Sequence, residues 1–132
     1  MDRLSRITPA VELFVETHLP TLEHLEVLAL LIRAGDQWWD AGAVGQELGI
    51  TPDASRRILE HLGSRNLLAI RVTTDVRYQF QPGEAGVREA AAAFADAYAR
   101  HRLAVSRLVI RQSSRSIRAF ADAFRIQRDD DR

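Results

Sequence analysis

Asp40–Leu62, DAGAVGQELGITPDASRRILEHL, decides the fold. It reads as two short helices and a tight turn. Asp40 supplies an N-cap oxygen for a first helix over Ala41 to Leu48. Gly49 follows its last apolar residue, where a left-handed ending needs a residue without a β-carbon. Ile50 anchors the turn. Thr51 is the next N-cap, and Pro52 sits where a missing N–H costs nothing. The second helix runs through Leu62 to about Arg65.

Wound at about 100° per residue, this second helix gathers Ala54, Ser55, Ile58, Leu59 and Leu62 on one side. Asp53, Arg56, Arg57, Glu60 and Ser64 gather on the other. A helix pair with a glycine-containing turn has the layout of a helix-turn-helix, whose second helix can enter the DNA major groove.

The preceding segments repeat the same local grammar. Thr8-Pro9 opens a helix through Val11, Phe14 and Val15 that Leu19-Pro20 ends. Thr21 caps a helix from Leu22 to Arg33 that is apolar nearly all round and must be buried on more than one side; Gly35 closes it. In the extended run Asp36–Asp40, Trp38 and Trp39 point to opposite faces, one toward the core and the other toward a neighbouring element or the surface. Downstream, Leu67–Val72 and Val76–Phe80 are β-rich runs around Thr73-Thr74-Asp75, the second with Val76, Tyr78 and Phe80 alternating with Arg77 and Gln79, which predicts a hairpin ended by Pro82-Gly83.

The order helix, short strand, helix, helix, hairpin resembles the winged-helix regulators of bacteria, broadly the MarR, ArsR and PadR types. The resemblance covers about Leu22 to Pro82 and is carried by ELGITPDASRRILEHLGSRNLL and the hairpin after it. It implies a recognition helix (52–65), a wing (67–81), often a dimer, and a cytoplasmic DNA-binding regulator of transcription. The fold class expected is mainly α with a small β-hairpin. The divisions are an N-terminal helix (1–20), the winged helix-turn-helix (21–83), a long dimerisation helix (84–112), and a short amphipathic helix with a charged tail (113–132).

Arginine's fork matches the two major-groove acceptors of guanine, so Arg56 and Arg57 are the leading contacts to bases or phosphates. Asp53 fits only as an acceptor from a cytosine amino group. Thr51 would meet a phosphate, and Arg71, Thr73, Thr74 and Arg77 would serve on the wing. A competing reading needs no DNA: Asp53 lies four residues before Arg57 and Arg56 four before Glu60, spacings that make surface pairs worth about a few tenths of a kcal/mol. The formal net charge is zero and every basic residue is arginine. From Leu22 to Pro82 the arginines (33, 56, 57, 65, 71, 77) are outnumbered by acids (23, 26, 36, 40, 47, 53, 60, 75). From Arg100 to Arg118 there are six arginines and no acid. That stretch is a solvated face, a contact to flanking phosphates, or a dock for an acidic partner.

Val87, Ala91, Phe94, Tyr98, His101, Val105 and Leu108 recur at steps of four and three, the spacing of a coiled-coil-like seam. The seam has two uses: covering the N-terminal helix of its own subunit, or forming a homodimer through Val87, Ala91, Phe94, Tyr98, Val105 and Leu108. Ile117, Phe120 and Phe124 line one side of the last segment and would anchor a protein partner in a helix-in-groove mode. The alternative function is therefore a non-catalytic adaptor.

No cysteine is present, which removes disulfides and thiolate ligands. The four histidines show no metal-ligand spacing, and no nucleophile or phosphate-loop motif occurs, so neither an enzyme, a metal nor a cofactor is expected. An effector would bind near Trp38, Trp39, Phe94 and Tyr98. No apolar run reaches the roughly 20 residues of a membrane span. The opening MDRLSRITPAVELFVE lacks the layout of a cleavable export signal.

Overall fold

The computed structural model describes residues 7–112 and residue 121. Within them lie α1 (Pro9–His18), α2 (Leu22–Ala34), β1 (Trp39–Asp40), α3 (Ala41–Leu48), α4 (Pro52–Ser64), β2 (Leu68–Val72), β3 (Val76–Phe80), α5 (Ala85–Arg100) and α6 (residues 102–112). The architecture is mainly α with a small antiparallel sheet, as the sequence expects.

Each expected cap is made. Thr8 Oγ1 accepts from the Val11 N–H at 3.3 Å, Thr21 Oγ1 from His24 at 3.1 Å, Asp40 Oδ1 from Ala43 at 2.7 Å, and Thr51 Oγ1 from Ala54 at 3.1 Å. Gly49 takes φ +73°, ψ +32°, the left-handed ending that lets the chain leave α3 and re-enter a helix three residues later.

The nearly all-apolar α2 is the centre of the core. Leu25, Val27, Leu28, Ala29, Leu30 and Leu31 are all buried, and α3, α4, α5 and β3 pack around the helix. The sheet order is β1-β3-β2, with Trp39 opposite Tyr78 on one side and Ile70 opposite Tyr78 on the other. The two tryptophans separate as their alternation requires. Trp39 packs against the core from the sheet, while the Trp38 ring lies under the guanidinium of Arg71.

The helix expected over 84–112 is divided. His101 leaves helical geometry at φ −136°, ψ 56°, closing α5 through its N–H to Ala97 O, and its carbonyl then accepts from Val105 N–H. No glycine or proline marks the break. Beyond the break Val105 and Val109 both face inward and are buried. The seam itself is used within the chain: Ala91, Phe94, Tyr98 and Val105 are buried, with Val87 and Leu108 packed at the margin. Phe94 meets Phe14 of α1 at 5.5 Å and stacks near-parallel on Tyr98 at 6.1 Å. Of the two uses open to the seam, covering the N-terminal helix is the one made here. Among the described residues no helix is long and apolar enough to cross a membrane.

Candidate nucleic-acid interface

The floor of the site is the contact between α3 and α4. At Gly45 the missing side chain lets the backbone fold closely over the turn that follows α3. A β-carbon there would lie 2.7 Å from the Ile50 carbonyl oxygen and 3.4 Å from that of Thr51. The same turn is closed by the Ile50 N–H donating to Gly45 O at 3.0 Å. Gly45 carries as much of the turn as Gly49, and the sequence reading passes over it. Its signal is the small residue four before the helix-ending glycine.

On that floor α4 buries Ser55, Ile58, Leu59 and Leu62 and exposes Asp53, Arg56, Arg57 and Glu60. The split matches the sequence projection, and so does the Arg56–Glu60 pair, but the pair expected between Asp53 and Arg57 is not made. Asp53 takes Arg56, at 3.1 Å, instead of Arg57, and Arg56 also reaches Glu60 at 3.9 Å. The hydrogen bond to Asp53, then the charges of Asp53 and Glu60, hold the Arg56 guanidinium still more firmly in its charged form. Arg57 has no ion pair among the described residues. Nothing on α4 competes for it.

The wing is compensated in the same way. Arg77 Nε donates to Asp75 Oδ2 at 3.0 Å, and Thr73 donates its N–H to Asp75 O at 2.9 Å, so one aspartate both closes the turn and occupies an arginine. The Arg71 guanidinium sits 4.4 Å from the centre of the Trp38 ring. The aromatic face orders the cation without neutralising it. Thr51, Thr73 and Thr74 are exposed, the first with its oxygen already engaged as a cap. The wing's other face is apolar: Ile70, Val72 and Val76 are 49%, 72% and 40% exposed. The sequence alternation places these three on one face but says nothing of their having no cover.

A helix pair closed by a tight turn, its second helix turned outward, is followed by a two-stranded hairpin that projects beside it. The fold is a winged helix-turn-helix. No family model and no curated protein matches the chain. Among solved structures it is similar to the YusO protein of Bacillus subtilis, at 20% identity over 87% of this chain and 84% of that one, with a TM-score of 0.50. A MarR family protein of Mycobacterium tuberculosis, Rv2887, is similar at 20% identity over 91% and 87%, with a TM-score of 0.46. At such identity the likeness to YusO is one of fold.

Around the winged helix, the other expected site residues scatter. Phe94 is fully buried and Trp39 is in the sheet, so neither lines an open effector site with Trp38. A cleft of about 440 Å³ instead lies between α2 and the α5–α6 corner, lined by Ala29, Ile32, Arg33, Tyr98 and Arg102 among others. Tyr98 is the one residue it shares with the expectation. Ile117, Phe120 and Phe124 lie outside the described residues.

Proposed function

We propose that this chain is a sequence-specific DNA-binding regulator of transcription, with α4 as its recognition helix and the β2–β3 hairpin as its wing. The observation that carries the reading is the outer face of α4, entirely polar, rigidly backed by four buried side chains, and bearing an unpaired arginine. Arg57 is the residue best placed to read guanine, because Arg56 must first give up two carboxylates. Genome-wide occupancy followed by gel shifts on an enriched site is the test. Arg57→Ala is expected to weaken specific binding by about tenfold or more, a bidentate base contact being worth about 1–3 kcal/mol. Arg56→Ala should cost less, since Arg56 is already engaged by Asp53 and Glu60 and is the less available of the two arginines. Equal, small effects of both substitutions in folded protein would count against α4 as the reading helix.

The second reading is an adaptor that grips a protein through the winged helix. The uncovered Ile70, Val72 and Val76 favour it, since apolar side chains grouped on an exposed face are a mark of protein contact. Absence of any enriched site, with the Arg57→Ala protein behaving like wild type, would select it.

The regulator reading includes a dimer, but its surface moves from the seam to the outer faces of the terminal helices. The exposed residues include Glu12, Leu13 and Glu16 on α1, and Leu103, Arg107, Ile110 and Arg111 on α6. One face is acidic and apolar, the other basic and apolar. In a two-fold pair each α1 meets the partner's α6, so every contact is made twice. Leu103→Glu with Ile110→Glu is expected to yield a folded monomer in sedimentation at micromolar concentration. Arg107→Glu should weaken the pair, and Glu16→Arg added to it should restore part of the loss. An unaltered mass in the Leu103/Ile110 variant would exclude this face.

A further inference from the structure

Three histidines with no sequence relation meet where the C-terminal end of α4 rests on the α1–α2 corner. The His18 imidazole packs at a tilt against Phe14, the ring centres 4.9 Å apart, and its Nδ1 accepts a hydrogen bond from Arg65 Nε at 3.2 Å. The His24 ring lies edge-on to that of His61 at 4.9 Å, and its Nδ1 is 2.7 Å from the Thr21 hydroxyl. That hydroxyl oxygen already accepts the His24 N–H as the α2 cap, which leaves its hydrogen to donate to Nδ1. The His61 Nδ1 is buried without a hydrogen-bond partner among the described residues.

A guanidinium N–H can only donate, so the His18–Arg65 bond requires an unprotonated Nδ1. Once protonated, that nitrogen is a donor facing a donor, and a cation beside a cation. We propose that His18, His24, His61 and Arg65 form an acid-sensitive latch, which clasps the end of the outward-facing helix to the α1–α2 corner while the His18 and His24 imidazoles are neutral and releases it when these two take protons. The latch stands whatever the winged helix binds.

The charged surroundings agree. Burial, then Arg65, then His61 lower the pKa of His18; burial and then His61 lower that of His24 to about 4, against a smaller upward pull from Glu23. Glu23, on α2 itself, is the acid acting on His24. With the folded values below the ordinary 6.5, the contribution to stability is whole above pH 6.5 and is lost as pH falls from there toward about 4.

Thermal unfolding of the full chain from about pH 7.5 to about pH 5 should show the melting temperature falling by roughly 5 °C. His18→Phe with His24→Phe keeps the ring packing without the titration and should remove most of that fall. His101→Gln, outside the cluster, should retain all of it. Should the double variant fail to fold, imidazole and amide resonances of the wild-type chain decide: His18 and His24 should titrate below the ordinary value, and the amides of Arg65 to Leu67 should move with them. A flat wild-type melting temperature, a double variant with the wild-type slope, or amides that ignore the imidazoles would each overturn the latch.

Discussion

Phe94→Glu is expected to unfold the chain, not to divide a dimer. Phe94 is fully buried between Phe14 and Tyr98, on the face of α5 that covers α1. Removing such a ring to alanine costs about 3–5 kcal/mol. A carboxylate in its place adds several kcal/mol more, because it would be set among the buried apolar side chains of the core cluster. A whole domain commonly has about 5–15 kcal/mol to lose. Far-UV circular dichroism should show the helical signal gone or its urea midpoint displaced to near zero. Phe94→Leu, which keeps an apolar occupant, should stay folded with a loss of about 1.5 kcal/mol or less. A folded Phe94→Glu monomer would restore the seam to the dimer interface and exclude the packing described here.

That reversal shows which parts of the molecule are legible in the residues and which are not. Caps, turns and the split of α4 into two faces depend on neighbours within four positions, and Thr8, Thr21, Asp40, Thr51 and Gly49 all perform the expected roles. The seam has the correct spacing too, but spacing names a buried face without naming its cover. Here the cover is α1, more than seventy residues earlier. The break at His101 follows from the same tertiary demand, since inward-facing Val105 and Val109 require α6 to turn, while the local sequence would continue as helix. On α4 both i,i+4 pairs are equally available, and the choice of Arg56 by Asp53 rests on side-chain rotamers that periodicity does not encode. The histidine junction joins residues up to 47 apart in sequence, so its members look unrelated until the corner is built.

Gly45→Ala is the substitution for which two physical rules disagree in sign. In an ordinary helix interior alanine is more stable than glycine by about 0.5–1 kcal/mol. At Gly45 the new β-carbon itself would stand 2.7 Å from the Ile50 carbonyl oxygen. That oxygen belongs to the turn backbone and cannot swing aside as a long side chain would. Easing the contact means opening the angle between α3 and α4, at a cost of about 1–3 kcal/mol for overpacking. The net expectation is destabilisation by about 2 kcal/mol for Gly45→Ala and little more for Gly45→Val, because the first carbon already makes the clash. Gly86, in the first turn of α5, is the matched control: its β-carbon would meet nothing within 4 Å, and Gly86→Ala should stabilise. The functional loss should exceed the thermodynamic one. Any rotation of α4 swings Arg57 at its outer face, and a base contact tolerates little displacement, so under the proposed DNA-binding function Gly45→Ala protein that is still folded at 25 °C should lose specific binding by at least as much as Arg57→Ala. Melting temperatures and gel shifts on the same preparations separate the two effects. A Gly45→Ala protein as stable as Gly86→Ala would mean that the turn can relax at no cost, and the geometry assigned to the recognition helix would have to be given up.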